Sequence, residues 1–305
     1  MDMMVAKIAQ HRALFEEGGD LISPAKEISA YEAIWLKLQT TKRVADVFRK
    51  CRHALPQTVA QELGIGKDAV EAVKMNLEKL IPFQRYSALF FKDFEYPERL
   101  RIVRNPVEVL YYQGSLDLLS SKSISIVGAR KCSDNGTKRA RKLAKALVSR
   151  GYTIMSGLAE GIDTAAHESA IESSGRTIGV IGTPLNSNYP PMNEDLQQEI
   201  AANHLLVSQV PFCLYASRDY RTNRVFFPER NITMSALSEA TVIVEASDTS
   251  GSLYQARAAI AQRRKLFILN SCFESGLKWP DYYLSKGAVR IRDTEEILEI
   301  LQASE

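Results

Sequence analysis

Small residues and glycines follow two apolar runs of the chain and could bind an anion. The segment Ser156 to Asp163 has the sequence Ser-Gly-Leu-Ala-Glu-Gly-Ile-Asp and comes directly after the run 152–155, while Gly128 follows the run 124–127. A strand that ends in such residues and then begins a helix leaves backbone N–H groups free at the helix N-terminus, where they bind phosphate. The sequence therefore predicts a phosphate-binding edge that contains Gly128, Ser156, Gly157 and Gly161.

Basic residues are concentrated around the first of these junctions. Residues 121–150 contain nine Lys and Arg against one acidic residue, a net charge of +8, although the whole 305-residue chain carries only +3. Arg130 lies in the turn after the predicted strand, where a guanidinium can bind a phosphate with two parallel hydrogen bonds. The charge distribution favours a polyanionic partner. The predicted helix 136–149 also fits a simpler interpretation, in which its Lys and Arg form a solvated outer face.

Aromatic and basic residues occur together further along the chain. Phe226 and Phe227 precede Arg230 and Asn231 in a segment that we predict to be a loop opening a helix. Aromatic rings stack on bases while arginines hold phosphates in single-stranded nucleic-acid binding. The same composition also fits a surface loop without that role. A third strand–turn–helix junction contains residues that could accept a phosphate or cap the helix, namely Ser250, Gly251 and Ser252.

An acid and a histidine lie four residues apart on the helix after the second junction. Asp163 and His167 could do general acid–base work, or they could cap and stabilise the helix. No Ser or Cys lies in a nucleophile motif, and four separated cysteines with four histidines argue against a zinc site. We therefore favour the structural role and expect no catalytic residue, no metal and no cofactor.

The elements that must position these residues alternate along the chain. Residues 1–25 are expected to be loosely ordered, and residues 26–85 to form a small helical domain. Short apolar strands are then predicted at 109–112, 124–127, 152–155, 177–181, 205–208, 241–245 and 265–269, with helices at 136–149, 160–173, 193–202, 251–263 and 294–301. This alternation predicts an α/β fold with a mostly parallel sheet and helices on both faces. No apolar run approaches the length of a membrane span and no signal peptide is apparent, so we expect a cytoplasmic protein without a membrane partner.

One part of the helical segment has two interpretations. Ala60, Gly64 and Val70 match the spacing of a helix-turn-helix, in which a helix, a tight turn and a second helix bind DNA. A plain helical hairpin uses the same residue types for packing.

Together these motifs resemble the DNA-processing protein A family, also called DprA or Smf. The resemblance covers about residues 96–288, and its most specific part is the segment Ser156 to His167. It also includes Gly128 to Ser133, Phe227 to Asn231, and Glu245 to Leu253.

The resemblance implies an extended Rossmann-like fold over residues 86–305 that binds single-stranded DNA without catalysis. Arg130 would contact the DNA, and Lys131 and Ser133 belong to the same phosphate turn. Family members protect incoming strands in natural transformation, help to load a RecA-type recombinase and often form homodimers. The chain departs from the family pattern at five positions. Pro184 stands where the family usually has Gly, Asn186 where it has Asp, Gln209 where it has an acid, Ile232 where it has Arg, and Asn270 where it has Pro. The departures imply a weaker grip on DNA or a different ligand.

A related group of Rossmann-like proteins offers an alternative function. The LOG-like phosphoribohydrolases share such a sheet and cleave nucleotides, which suggests a nucleotide-binding sensor or hydrolase. Their Pro-Gly-Gly-x-Gly-Thr-x-x-Glu motif is absent here, and Gln255 stands near the position of the carboxylate. An amide cannot act as a general base, so hydrolysis is the less favoured interpretation.

Overall fold

A computed structural model describes residues 23–303 of the chain. Nine strands form one sheet in the order β1-β2-β6-β5-β4-β3-β7-β8-β9. Pairing is parallel from β6 to β9 along this order, while β2 is antiparallel to both β1 and β6. The strands are β1 (Ser87–Phe90), β2 (Val109–Gly114), β3 (Ser123–Val127), β4 (Thr153–Ser156), β5 (Thr177–Ile181), β6 (Leu205–Ser208), β7 (Ala240–Ile243), β8 (Lys265–Leu269) and β9 (Val289–Ile291).

The helices fall into an N-terminal group and a group that covers the sheet. The first four are α1 (Pro24–Leu38), α2 (Thr41–Lys50), α3 (Pro56–Glu62) and α4 (Lys67–Leu80). The others are α5 (Glu98–Arg101), α6 (Asp134–Val148), α7 (Ile162–Glu172), α8 (Glu194–Asn203), α9 (Phe212–Ala216), α10 (Tyr220–Asn223), α11 (Phe226–Leu237), α12 (Ser252–Ala261), α13 (Trp279–Leu284) and α14 (Thr294–Gln302). Within residues 23–303, no helix is both long and apolar enough to span a bilayer.

The central strands are covered on both of their faces. Every residue of β3, β4, β5, β6 and β7 is buried, which explains why each appears in the sequence as a continuous apolar run. Ile124 and Ile126 of β3 pack on one face against Leu143 of α6 and Ala166 of α7. The opposite face packs against α11 and α12. The predicted mostly parallel sheet with helices on both faces is confirmed.

The N-terminal helices share a core with the edge of the sheet. Buried Glu32 of α1 accepts hydrogen bonds from the Tyr111 hydroxyl (2.6 Å) and from the backbone N–H groups of Phe212 (3.0 Å) and Cys213 (2.8 Å). Burial raises the pKa of Glu32. Helix α1 begins at Pro24, so residues 24 and 25 of the segment expected to be loosely ordered are helical, and residues 1–22 lie outside the described range.

Several local expectations were incomplete or wrong. Strands β1 and β9 escaped the sequence analysis because they are short and only partly buried, so neither forms a continuous apolar run. The predicted loop at 226–231 is wrong, since helix α11 begins at Phe226 and tolerates Pro228 within its first turn. The helix, turn and helix around Gly64 are present, with Gly64 at a φ of +67°. DNA recognition by that segment stays a prediction.

Candidate nucleic-acid groove

The candidate site is a groove of about 920 Å³ beyond the carboxyl ends of β3 and β7. The chain leaves β3 towards β4 on one side and reaches β7 on the other, and ligands of open α/β sheets bind where the strand order reverses in this way. Most of the predicted site residues line it: Gly128, Arg130, Lys131, Ser133, Phe227, Arg230, Asn231, Ser250, Gly251 and Ser252. The lining does not include Ser156, Gly157, Gly161 or Phe226.

A carboxylate occupies the first glycine turn. Glu245, which follows β7, accepts hydrogen bonds from the Ser133 backbone N–H (2.8 Å) and the Ser133 hydroxyl (2.6 Å). Ser133 also caps α6, because its hydroxyl oxygen accepts from the Gly136 N–H (3.0 Å). A Cβ on Gly128 would lie 2.8 Å from the Glu245 carbonyl oxygen, so the two segments need a glycine there to approach each other. The donors of Ser133 are therefore taken by Glu245, and phosphate binding by Ser133 stays a prediction.

The second glycine turn is also occupied by a carboxylate. Buried Asp163 accepts from the Gly157 N–H (3.1 Å). Burial raises the pKa of Asp163, and the smaller opposing effects come from Arg230 and from backbone N–H groups that include those of Gly157 and Gly128. The Ser156 hydroxyl donates to the Ile126 carbonyl (2.6 Å), and Ser156 has no exposed surface. A direct phosphate contact by Ser156 or Gly157 is therefore ruled out, and this turn serves the fold.

Gly161 supports the groove without lining it. It has a φ of +80°, and an added Cβ would lie 2.5 Å from the Ala129 carbonyl oxygen and even closer to that of Arg130. The Ile162 N–H in turn donates to the Ala129 carbonyl (3.3 Å). Gly161 therefore allows the start of α7 to pack against the turn that presents Arg130.

Arg230 lies on the groove floor and is directed into the protein. Its guanidinium donates to the carbonyl oxygens of Gly157 and Val180, both at 2.5 Å. Burial lowers the pKa of Arg230 to about 10, with a smaller opposing effect from Asp163. The guanidinium stays protonated at neutral pH and adds positive charge beneath the groove. Its Nη1 group is committed to these two carbonyls, and a contact between Arg230 and a phosphate stays a prediction.

The third junction differs from the other two. Asn231 donates to the Gly251 carbonyl (3.1 Å), and the hydroxyls of Ser250 and Ser252 lie 2.7 Å apart at the start of α12. In the described part of the chain, no carboxylate accepts a hydrogen bond from Ser250, Gly251 or Ser252. The Ser250 and Ser252 N–H groups donate within the turn, to the Ser247 carbonyl and the Ser250 hydroxyl, so phosphate binding at this helix N-terminus stays a prediction.

Phe226 and Phe227 have opposite environments. The Phe226 ring is 2% exposed and packs edge-on against Trp35, so the prediction that it stacks on a base is wrong. Helix α11 turns the neighbouring Phe227 towards the groove, where its ring lies over Gly182, at which a Cβ would come within 2.6 Å of the ring. Consecutive residues of a helix point about 100° apart, which a loop assignment could not reveal.

Two tyrosines that were not among the predicted stacking residues extend this aromatic surface. The Tyr189 ring lies 5.2 Å from that of Phe227 and 6.5 Å from that of Tyr220. A hydrogen bond with Tyr220 raises the pKa of Tyr189. Tyr220 is exposed, and the Arg130 guanidinium lies 5.7 Å from the centre of the Phe227 ring. Tyrosine next to arginine at 220–224 was visible in the sequence, but its neighbours were not.

Cations form the outer rim of the groove. Arg130, Lys131 and Arg224 are exposed, and Arg139 of α6 is half-buried beside them. The acids in the lining are Asp163, Glu245 and Glu274, and each has hydrogen-bond donors of the protein as partners. The groove can therefore hold a polyanion with side-chain cations rather than with the backbone donors that the sequence suggested.

His167 does not take part in the groove. It is fully buried, and its Nδ1 lies 2.6 Å from the Thr177 hydroxyl. Burial lowers its pKa to about 3, so the ring is neutral at physiological pH. No hydrogen bond joins His167 to Asp163 among the described residues, which supports the structural interpretation of this pair. Within residues 23–303, no three His, Cys, Asp or Glu side chains form a group that could hold a metal ion.

The departures from the family pattern lie outside the groove lining. Buried Gln209 accepts a hydrogen bond from the Thr233 hydroxyl behind α11, and Ile232 is exposed on the same helix. Asn186 donates to the Leu80 carbonyl (3.1 Å) at the helical segment. The remaining two departures, Pro184 and Asn270, are likewise absent from the lining.

Comparison with known proteins agrees with this geometry. Smf from Synechocystis is 36% identical over 78% of this chain, and the match spans 64% of that protein's length, so this chain covers less than two thirds of it. DprA from Streptococcus pneumoniae is 34% identical over 71% of this chain and 74% of its own length. The X-ray structure of that DprA has a TM-score of 0.72 at 26% identity and covers 92% of this chain and 98% of the solved chain.

A second solved structure, described for its single-stranded DNA binding mode, is DNA processing protein A from Helicobacter pylori. It has a TM-score of 0.61 at 29% identity and covers 72% of this chain and 96% of the solved chain. Residues 87–302 match the sequence profile of DNA recombination-mediator protein A, which includes all the groove residues described above. The chain belongs to the DNA recombination-mediator protein A family.

Proposed function

We propose that this protein binds single-stranded DNA in the groove at β3 and β7 and does not act as an enzyme. The observation that carries the proposal is the pairing of an exposed cationic rim with an aromatic surface, in particular Arg130 and Lys131 beside Phe227, Tyr189 and Tyr220. This combination suits a strand whose phosphates and unpaired bases are both accessible. The related protein from Helicobacter pylori is described as binding single-stranded DNA, which supports the same ligand here.

The two kinds of side chain have separate tasks. Cations at the rim neutralise phosphates and release counterions, so this part of the affinity depends on salt and not on base sequence. Stacking on an aromatic ring contributes roughly 1–3 kcal/mol per base and tolerates every base. Asp163 and Glu245 stabilise the turns that carry these groups, and neutral His167 is too deeply buried to reach a substrate. Both carboxylates accept hydrogen bonds from donors of the protein itself, which argues against a general-base role for either.

The biological setting follows from the family. We infer that the protein protects incoming single strands and helps to load a RecA-type recombinase in natural transformation or recombination, as a homodimer. We place this activity in the cytoplasm, where such a recombinase acts. The four cysteines, Cys51, Cys132, Cys213 and Cys272, are free thiols, which fits a reducing compartment.

The deciding experiment is a salt titration of binding to single-stranded and duplex oligonucleotides. We expect preference for the single strand and an affinity that falls steeply with salt. Arg130→Ala should weaken binding roughly fivefold to tenfold for every sequence and lower the salt slope by about 0.7. Arg43→Ala, which removes an exposed arginine of α2, is the matched control and should change neither quantity.

Two results would overturn the proposal. One is salt-independent or absent binding to the single strand. The other is thermal stabilisation by a mononucleotide but not by an oligonucleotide, which would favour the nucleotide sensor of the LOG type.

A further inference from the structure

Helix α6 extends the groove rim along the outside of the molecule. Its 15 residues span about 22 Å. Lys131 and Ser133, just before the helix, and Arg139 in its second turn all line the groove. The helix therefore begins at the rim, next to the cations assigned above to phosphate binding, and leads away from it.

The faces of α6 have different roles. Leu143 and Leu147 are buried with the neighbouring alanines against the sheet. Arg141 turns towards α7 and forms ion pairs with Glu168 (3.1 Å) and with Glu172. A further arginine just beyond the helix, Arg150, pairs with Glu295 of α14 at 3.1 Å. Glu168, Glu172 and Glu295 on the two neighbouring helices thus already have arginine partners.

Three lysines remain on the outer face. Lys138, Lys142 and Lys145 are all exposed and are spaced i, i+4 and i+7, so they form one row. Within the described residues, none of the three forms an ion pair with an acid. Arg139 precedes Lys142 by three residues and connects this row to the groove lining.

A row of like charges costs helix stability unless something neutralises it. Lysines three or four residues apart on a helix repel each other. Arg141 on this helix and Arg150 just beyond its end form ion pairs with carboxylates of the protein, whereas the described residues provide no such partner for the lysine row. A polyanion lying on the row would remove the repulsion, and the row suits one because its three charges lie along one line.

We propose that a single strand held in the groove continues along α6 and that its phosphates contact Lys138, Lys142 and Lys145. The inference rests on the proposed function, and it adds a path for the strand outside the groove. At the stacked spacing of about 3.4 Å per phosphate, a helix of this length faces about six phosphates, enough for one contact with each lysine. Long strands then bind with more phosphate contacts than strands that only fill the groove.

The test compares strand lengths in the variant Lys138→Gln/Lys142→Gln/Lys145→Gln. Affinity is measured by fluorescence anisotropy across a salt series, with oligonucleotides of about 6 and about 25 nucleotides. For wild type, the longer strand should show a salt slope steeper by about 2, the value for three single-strand phosphate contacts. The triple variant should lose this extra slope and bind the long strand at least roughly tenfold more weakly at ~0.1 M salt. Its affinity for the short strand should not change.

A control variant removes three exposed lysines elsewhere, Lys42→Gln/Lys50→Gln/Lys265→Gln, with the same change in net charge. It should leave the length dependence intact. If the α6 variant binds long strands like wild type, or like this control, the path along α6 is wrong while the groove function stands. If wild type binds neither strand, the proposed function itself fails and the path with it.

Discussion

Removing the Glu245 carboxylate should affect stability and DNA binding in opposite directions. Glu245 holds the Ser133 N–H and hydroxyl at 2.8 Å and 2.6 Å, and it lines the groove where we propose that DNA binds. It is therefore an internal anion in the place where a phosphate would otherwise meet the N-terminus of α6. Glu245→Gln keeps the shape of the side chain and one acceptor oxygen while it removes the charge.

The two effects can be estimated separately. Hydrogen bonds to a charged group contribute about 1.5–3 kcal/mol and neutral ones about 1 kcal/mol, so exchanging two charged bonds for one neutral bond would cost about 2–5 kcal/mol at a buried site. Solvent screening at this half-exposed site reduces the expected loss of stability to about 1–2 kcal/mol. A unit charge about 7 Å from a phosphate repels it by ~0.6 to ~2.4 kcal/mol for effective dielectric constants between about 80 and 20. Since the groove is open to solvent, we expect a gain of about 1 kcal/mol, or roughly fivefold in affinity for single-stranded DNA.

Urea unfolding measures the first effect and fluorescence anisotropy with a labelled single strand measures the second. Glu274→Gln is the matched control, because Glu274 also lines the groove but bonds to Asn270 rather than to Ser133. Glu274→Gln should raise the affinity for single-stranded DNA without lowering the stability of the Ser133 turn. The reasoning is refuted if Glu245→Gln binds DNA more weakly than wild type, since the carboxylate would then organise the binding surface rather than repel the ligand.

Two further predictions concern stability. The pKa of His167 is about 3 in the folded protein and about 6.5 in the unfolded chain. The stability that the neutral ring contributes is therefore fully present above pH 6.5 and is lost as the pH falls. The free energy of unfolding should decrease by about 1.5 kcal/mol between pH 6.5 and pH 5. His167→Gln cannot titrate, and urea unfolding of this variant should lack that loss; an unchanged pH slope would contradict the assignment. Gly161→Ala should cost more than about 2 kcal/mol, because it combines a φ of +80° with a clash against the Ala129 carbonyl. Gly251→Ala is its control, with no atom within 4 Å of the added Cβ, and its unfolding free energy should match wild type within about 0.5 kcal/mol; equal losses for both variants would refute the argument.

The strands and glycine junctions were predictable because they depend on local physics. A strand buried on both faces, such as β3 or β5, must be apolar throughout, and a glycine such as Gly128 marks a close approach of two segments. These patterns identified the mostly parallel sheet and the end of it at which the groove lies.

The side chains that bond to the glycine turns were not predictable, because they come from distant parts of the chain. Glu245 reaches Ser133 across 112 positions, and Arg230 reaches the Gly157 carbonyl across 73. Whether Phe226 or Phe227 faces the groove depends on the start of α11, and an error of a few residues in that boundary exchanges their roles.

The hydrogen bonds of Arg230 also determine which partner must change shape on binding. Its guanidinium joins α11 to the ends of β4 and β5. Because Arg230 is buried, water cannot replace these hydrogen bonds. The helix that carries Phe227 therefore cannot move away from the sheet without leaving a buried charge unpaired. The groove is therefore preorganised, and the cost of ordering falls on the ligand. A single strand can meet that cost because its backbone torsions are free, whereas a stacked duplex would have to be unstacked first. The preference for single strands that we propose then rests on the stiffness of the groove floor as well as on the chemistry of its rim.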